Sequence, residues 1–161
     1  MFKVKRLNHA VLYVRDAQRA ARFYQDVLGF VVAEKYGDRA IFMRTSADTE
    51  NHHDLGLFGI GSQAPAPTQG EQVGLYHLAW EVETLPELAH ARKALREAGA
   101  LVGESDHGSS LSLYAKDPDG NEFEVFWQVP RSEWETRGFG TRRLDLEGEL
   151  ARRGFAEARA E

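Results

Sequence analysis

One pattern occurs twice in this chain, and it limits the fold more than any other feature. Each copy opens with a short apolar strand carrying a histidine. The first reads Leu7-Asn8-His9-Ala10-Val11-Leu12-Tyr13-Val14 and the second Leu75-Tyr76-His77-Leu78-Ala79-Trp80-Glu81-Val82, with the histidines 68 residues apart. An amphipathic helix follows each strand. The first is expected to begin after Asp16, a good N-cap, with Ala17, Ala20, Ala21, Tyr24, Val27 and Leu28 at helical spacing and Gly29 as its stop. The second has Thr84 as cap, Pro86 in its first turn, and Leu85, Leu88, Ala91, Leu95 and Ala98 on one face. Its stop is Gly99, 70 residues after Gly29. Three strands complete each copy, expected at 30–35, 39–44 and 53–60, and again at 100–104, 110–116 and 122–128. Two βαβββ modules with so long a period argue for duplication rather than a solenoid.

The modules span about 7–60 and 75–127, joined by a linker at 61–74 that is rich in Pro, Gly and small polar residues. They make up a domain at 1–130, followed by an extension at 131–161 dense in Arg and Glu. Trp134, Phe139, Leu144, Leu146, Leu150 and Phe155 are spaced through the extension, and its last part reads as a short amphipathic helix. Docking on the core, covering a pocket mouth, meeting another subunit and fraying all fit this composition.

Composition removes several function classes. The 161 residues are 42% hydrophobic and 28% charged, enough apolar material for a core. A formal charge of −5 gives no long-range pull on phosphate backbones, so a nucleic-acid partner is not expected. No apolar run approaches the roughly 20 residues that span a bilayer, and no signal-peptide pattern follows Met1, so the expected location is the cytoplasm. With no cysteine, any metal must be held by His, Asp or Glu. A Gly-rich phosphate loop, a Gly-x-Ser-x-Gly elbow and a His-Glu-x-x-His pair are all missing from the sequence.

His9 and His77 stand at equivalent places in the two modules, where pseudo-symmetry brings equivalent positions together. By strand alternation, His9 shares a face with Val11 and Tyr13, and His77 with Ala79 and Glu81. Glu124 follows the turn Asp117-Pro118-Asp119-Gly120, either as a third donor or as a solvated residue on an edge strand. Two imidazoles and one carboxylate on one side leave three open positions on an octahedral metal, the facial arrangement of non-haem Fe(II) oxygenases. Asp54 lies 70 residues before Glu124 and is a candidate fourth ligand. His53 is beside it, whereas His52 is expected to face the other way. His107 lies in a Gly-Ser-rich stretch, Tyr114 lies ten residues before Glu124, and His90 falls within the second helix. Trp80, Phe123, Phe126 and Trp127 are candidates for an aromatic pocket lining or for plain core.

Taken together, Asn8-His9-Ala10-Val11, Tyr24-Gln25-Asp26-Val27-Leu28-Gly29-Phe30, Tyr76-His77-Leu78-Ala79 and Asp117-Pro118-Asp119-Gly120-Asn121-Glu122-Phe123-Glu124-Val125 resemble the vicinal oxygen chelate superfamily. That group includes glyoxalase I, bleomycin-resistance proteins and type I extradiol catechol dioxygenases. The resemblance implies an α+β fold in which the two modules form a cupped, mixed eight-stranded sheet around one divalent metal. Within the group the chain is most similar to the extradiol dioxygenases, in a small form with one pair of modules. Carried over, their metal triad falls on His9, His77 and Glu124. Their histidine of the His-Asp-x-x-Leu pattern falls on His53, their active-site tyrosine on Tyr114, and their loop histidine on His107, although the spacing from His107 to Tyr114 is shortened here.

The activity this implies is extradiol (meta) cleavage of a catecholic substrate by O2 with Fe(II), or with Mn(II), which favours the same ligand types. His53 suits proton transfer, while Tyr114 and His107 suit hydrogen bonds to substrate oxygens. The implied partners are a small aromatic diol, O2 and further copies of the chain in a homo-oligomer. Two alternatives belong to the same group. One is a glyoxalase- or epimerase-type lyase or isomerase using Ni(II) or Zn(II), with a fourth ligand from the strand holding Asp54. The other is a metal-poor protein that binds a small molecule such as an antibiotic.

Overall fold

Local signals set the element boundaries in the computed structural model, which describes residues 1–68, 70 and 73–155. Linker positions 69, 71 and 72 and the end of the extension at 156–161 lie outside the described residues. The chain divides into two compact units, Met1–Pro67 and Thr68–Glu161.

In the first unit, β1 (Ala10–Val14) leads into α1 (Ala17–Leu28), then β2 (Val31–Tyr36), β3 (Ala40–Arg44) and β4 (Leu55–Gly59). Asp16 caps α1 by accepting from the Arg19 N–H at 2.9 Å, a contact worth about 1 kcal/mol. Gly29 ends the helix at φ 73°, a conformation that costs glycine least. The strands form a mixed sheet in the order β1-β4-β3-β2, with β1 and β4 parallel. Helix α1 packs on β3 and β4. Ala17, Ala20, Ala21 and Tyr24 are buried together with Leu12, Val14, Ile41, Met43, Leu55 and Leu57. The alternate strand positions, Val11, Tyr13 and Phe58, are exposed.

The second unit repeats this order. It comprises β5 (Leu78–Val82), α2 (Leu85–Glu97), β6 (Leu101–Asp106), β7 (Ser110–Lys116) and β8 (Glu122–Gln128). Thr84 and Glu87 form a capping box at the start of α2, which satisfies two backbone donors reciprocally. Leu85, Leu88 and Leu95 are fully buried, and each such side chain contributes roughly 1.5–3 kcal/mol. The sheet order is β5-β8-β7-β6, with β5 and β8 parallel. The duplication is visible even in its irregularities: β2 and β6, the strands after the helices, each carry a bulge, at Val32/Glu34 and at Leu101/Gly103. The expected α+β class and the two βαβββ modules are therefore present, as two four-stranded mixed sheets.

The extension belongs to the second unit. A 3-10 turn (Arg131–Glu133) runs into α3 (Trp134–Arg137), and α4 (Leu146–Arg152) follows. Leu144 and Leu146 are buried, and α4 packs on α2, where Arg92 pairs with Glu147. Trp134 Nε1 donates to the Val129 carbonyl at 2.7 Å, and the Arg153 guanidinium lies over the Trp127 ring at 4.7 Å. Arg137 bridges two carboxylates, Asp106 at 3.0 Å and Glu149 at 2.6 Å.

Burial by itself would raise the pKa of both carboxyls. For Asp106, the Gly108 N–H and the Arg137 and Arg142 guanidiniums outweigh burial and hold it below its ordinary 3.8. For Glu149, Arg137 and Arg152 hold it below 4.5. The docked extension thus binds protons less readily than the unfolded chain. Its stability is present above the ordinary carboxyl range and is lost as pH falls through the lowered values, below about 4. Tryptophan emission should shift to the red in that window as Trp134 leaves Val129. A Trp134→Phe protein should lack that part of the shift, and an identical titration in both proteins would show that the extension stays docked in acid.

Candidate active site

Each unit carries its own cluster of chemical side chains, built on the strand ends. In the first unit, paired strand structure begins only at Ala10 and Leu55. His9 and His53 therefore occupy the segments that lead into the parallel pair β1 and β4. Their rings lie 4.4 Å apart, and His53 meets the edge of Phe42 at 4.8 Å. His9 is exposed, with Nδ1 2.9 Å from Asn8 Oδ1.

His52 does not turn away from His53. Their Nδ1 atoms are 3.0 Å apart, and His52 Nε2 lies 3.5 Å from Glu34 Oε2. The alternation argument fails here because neither histidine is yet in a strand. Burial lowers the His53 pKa, and the neighbouring His9 and His52 lower it further, which favours the neutral ring near pH 7.

Asp54 has a different surrounding. Thr45 donates to its Oδ2 through the backbone N–H at 2.8 Å and the hydroxyl at 3.1 Å, and Asn51 Nδ2 donates to Oδ1 at 2.6 Å. Burial would push this carboxyl up, but the Asn51 and Thr45 donors outweigh it and hold it below its ordinary value. The carboxylate ties the segment carrying His52 and His53 to the end of β3. Asn51 also donates to the Asn8 carbonyl at 3.3 Å, so the same residue steadies the approach to His9.

In the second unit, the turn before β8 sets the position of Glu124. Asp117 Oδ1 accepts from the Asp119 and Asn121 N–H groups, both at 2.9 Å, and its Oδ2 accepts from Asn121 Nδ2 at 2.9 Å. Burial raises the Asp117 pKa above its ordinary value against the pull of these donors. Strand β8 lies between β5 and β7, so Glu124 is on an interior strand and is buried, not on an edge. Its register partners are Ala79 and Tyr114.

His77 precedes β5 and places Nε2 3.2 Å from Glu124 Oε2, while its Nδ1 is buried with no hydrogen-bond partner. The Tyr114 ring is 5.7 Å from that of His77, and Gly103 is its register partner on β6. Tyr114 Oη lies 2.8 Å from His107 Nε2 despite the short spacing in sequence. Burial raises the Tyr114 pKa and the Glu124 charge adds to this, so the phenol stays protonated at neutral pH.

Among the described residues, no three His, Asp or Glu side chains converge as a metal-holding group. His77 and Glu124 are paired in the second unit, and His9 stands beside His53 in the first. His90 is exposed on α2. Of the four aromatic candidates, Phe126 shares the Glu124 face of β8, whereas Phe123 and Trp127 are on the opposite, buried face, together with Trp80 of β5. Period-2 alternation separates them.

Two further residues were assigned no role from the sequence. Tyr76, whose pKa is raised first by the charge of Glu122, lies tilted against His77 with ring centroids 4.7 Å apart. Thr141 Oγ1, from the extension, lies 3.3 Å from His107 Nδ1.

Comparison with known proteins identifies the family. Residues 6–125 match the family model described as the Glyoxalase/Bleomycin resistance protein/Dioxygenase superfamily. The chain is 31% identical over 153 residues to a catechol-2,3-dioxygenase of Bacillus subtilis (strain 168), covering 92% of this chain and 52% of that protein. It is 37% identical over 122 residues to biphenyl-2,3-diol 1,2-dioxygenase 3 of Rhodococcus globerulus, covering 74% and 62%. These two relatives are longer, and the chain spans about half to three-fifths of their length. A lactoylglutathione lyase of Salmonella typhimurium (strain LT2) is 28% identical over 138 residues, covering 74% of this chain and 90% of that one. No helix among the described residues is long and apolar enough to cross a membrane. With its duplicated βαβββ units and a matching model over three-quarters of its length, the chain belongs to the glyoxalase/bleomycin resistance protein/dioxygenase superfamily.

Proposed function

We propose that the protein is an extradiol dioxygenase, in which His9, His77 and Glu124 hold Fe(II). The ring carbon–carbon bond beside the diol breaks, and both atoms of O2 enter the product. The observation that carries the reading is the second-unit arrangement: a His–Glu donor pair beside a Tyr–His hydrogen bond. The donor set fits the group, since imidazole and carboxylate suit Fe(II) or Mn(II) and the buried His77 Nδ1 has no hydrogen-bond partner. A bound Fe(II) would supply the positive charge that assists loss of a catechol hydroxyl proton and the redox partner for O2.

The chain's own groups do the rest. His53, kept neutral by burial and its histidine neighbours, accepts and returns a proton. Tyr114, kept protonated, donates to a substrate oxygen, with His107 fixing the direction of its hydroxyl. The dioxygenase relatives support the catecholic substrate class.

A lyase reading has the Salmonella relative in its favour. It calls for a fourth ligand from the strand region of Asp54, and that carboxylate is already engaged by Thr45 and Asn51. Retention of both histidines and the glutamate weighs against a metal-poor binding protein.

The test is oxygen uptake by protein loaded anaerobically with Fe(II), given a panel of catechols that includes 2,3-dihydroxybiphenyl. Uptake should match the yellow ring-opened product one to one. His53→Asn and Tyr114→Phe should keep the metal and lower turnover by roughly 10²–10⁴. Bound metal with no uptake across the panel would overturn the proposal in favour of the lyase, to be assayed with Ni(II) or Zn(II) and thiol hemiacetals.

A further inference from the structure

We propose that Thr141 is a positioning residue for the His107–Tyr114 pair, and that the C-terminal extension is the element that delivers it. The functional consequence rests on the ring-cleavage reading above; the positioning itself does not.

His107 sits in the turn between β6 and β7 and reaches Tyr114 Oη through Nε2 at 2.8 Å. One hydrogen bond leaves a neutral imidazole free to rotate and to exchange tautomers. Thr141 engages the other nitrogen at 3.3 Å, so both ring nitrogens have partners. The choice of tautomer has a chemical effect. If the Thr141 hydroxyl donates to Nδ1, then Nε2–H donates to the Tyr114 oxygen, and the phenolic proton is free for substrate. If Nδ1–H donates to Thr141, Nε2 accepts the phenolic proton instead.

The extension grips the residues on both sides of His107. Asp106 and Arg142 exchange backbone hydrogen bonds, each at 2.9 Å. Arg137 donates from Nε to the Gly108 carbonyl at 3.1 Å and from Nη2 to Asp106 Oδ2 at 3.0 Å. Asp106 Oδ1 also accepts from the Gly108 N–H at 2.7 Å. Gly108 has φ +81°, and a Cβ there would fall 1.8 Å from the Gly138 carbonyl oxygen. The extension therefore crosses this turn at a distance only glycine allows. Beyond it, buried Leu144 and Leu146 anchor the chain. Segment 138–142 is thus pinned at both ends around an otherwise exposed threonine, whose hydroxyl faces the ring.

The test uses the full ¹⁵N-labelled chain without metal, reading the His107 ring nitrogens by NMR above the imidazole titration range. The wild type should show one dominant tautomer. Thr141→Val should give an averaged pattern, Thr141→Ser should restore the original, and His90 signals should be unchanged in all three. If the valine protein does not fold, Thr141→Ala carries the same comparison. A wild-type tautomer pattern in the valine or alanine protein would overturn the proposal, as would failure of serine to rescue. In the oxygen assay, Thr141→Val should lower kcat roughly ten- to a hundredfold with little change in KM, again rescued by serine. A tautomer effect in a wild type that consumes no oxygen would sustain the positioning while removing the ring-cleavage reading.

Discussion

Glu124→Ala is expected to leave the protein unable to retain Fe(II) after anaerobic loading and desalting, and His77→Ala and His9→Ala should do the same. The expected loss of affinity exceeds the roughly 10–100-fold that removal of an outer-sphere partner costs, because each change deletes one of the three proposed donors. Glu124 is buried on an interior strand, with His77 Nε2 3.2 Å from its carboxylate. Its negative charge is therefore poorly screened and is worth most to a cation placed there. Glu124→Gln separates charge from shape: it keeps the side-chain volume and should still weaken binding strongly. Asp54→Asn should change metal content little, since the Asp54 oxygens already accept from Thr45 and Asn51. Metal content measured on folded variants decides the matter. A Glu124→Ala protein that loads Fe(II) as the wild type does would exclude the proposed ligand set.

Arg137→Ala should be the most damaging change outside the site, costing about 3 kcal/mol and lowering Tm by roughly 6–12 °C. The guanidinium is mostly buried between Asp106 and Glu149, at 3.0 and 2.6 Å. Its removal leaves two buried carboxylates short of a partner, which costs more than the pair contributed. Arg142 at 3.4 Å from Asp106 and Arg152 at 3.0 Å from Glu149 compensate in part, which places the expectation at the low end for a buried ion pair. Arg137→Lys should recover only some of the loss, because a single ammonium does not reproduce the fork that reaches Glu149, Asp106 and the Gly108 carbonyl together. Thermal unfolding monitored by circular dichroism measures the effect. A shift within a degree of wild type would show that the Arg137 bridge contributes nothing to the stability of the second unit.

The contrast between Glu124 and Thr141 shows where reading a sequence works. Glu124 follows a turn that Asp117, Asp119, Gly120 and Asn121 write within five residues, and it stands on a strand whose alternation is plain. The helices were legible for the same reason: Asp16, Thr84, Glu87, Gly29 and Gly99 act on backbone groups three or four positions away. The duplication needed only an offset of 68–70 residues between like signals. Where alternation was extended past the end of a strand, at His52, it gave the wrong direction, because the two-residue period belongs to the paired ladder and not to the segment before it.

Element order and the helix caps were thus determined by the sequence itself, since each depends on neighbours within a turn or a strand. Tertiary structure decided which of those residues share a surrounding. It engaged Asp54 with Thr45 and Asn51. It also brought Thr141 to His107, 34 positions away in sequence. These outcomes depend on sheet register and on where the extension docks, both set by long-range packing and by the Asp106–Arg137–Glu149 charge network, which no local pattern encodes.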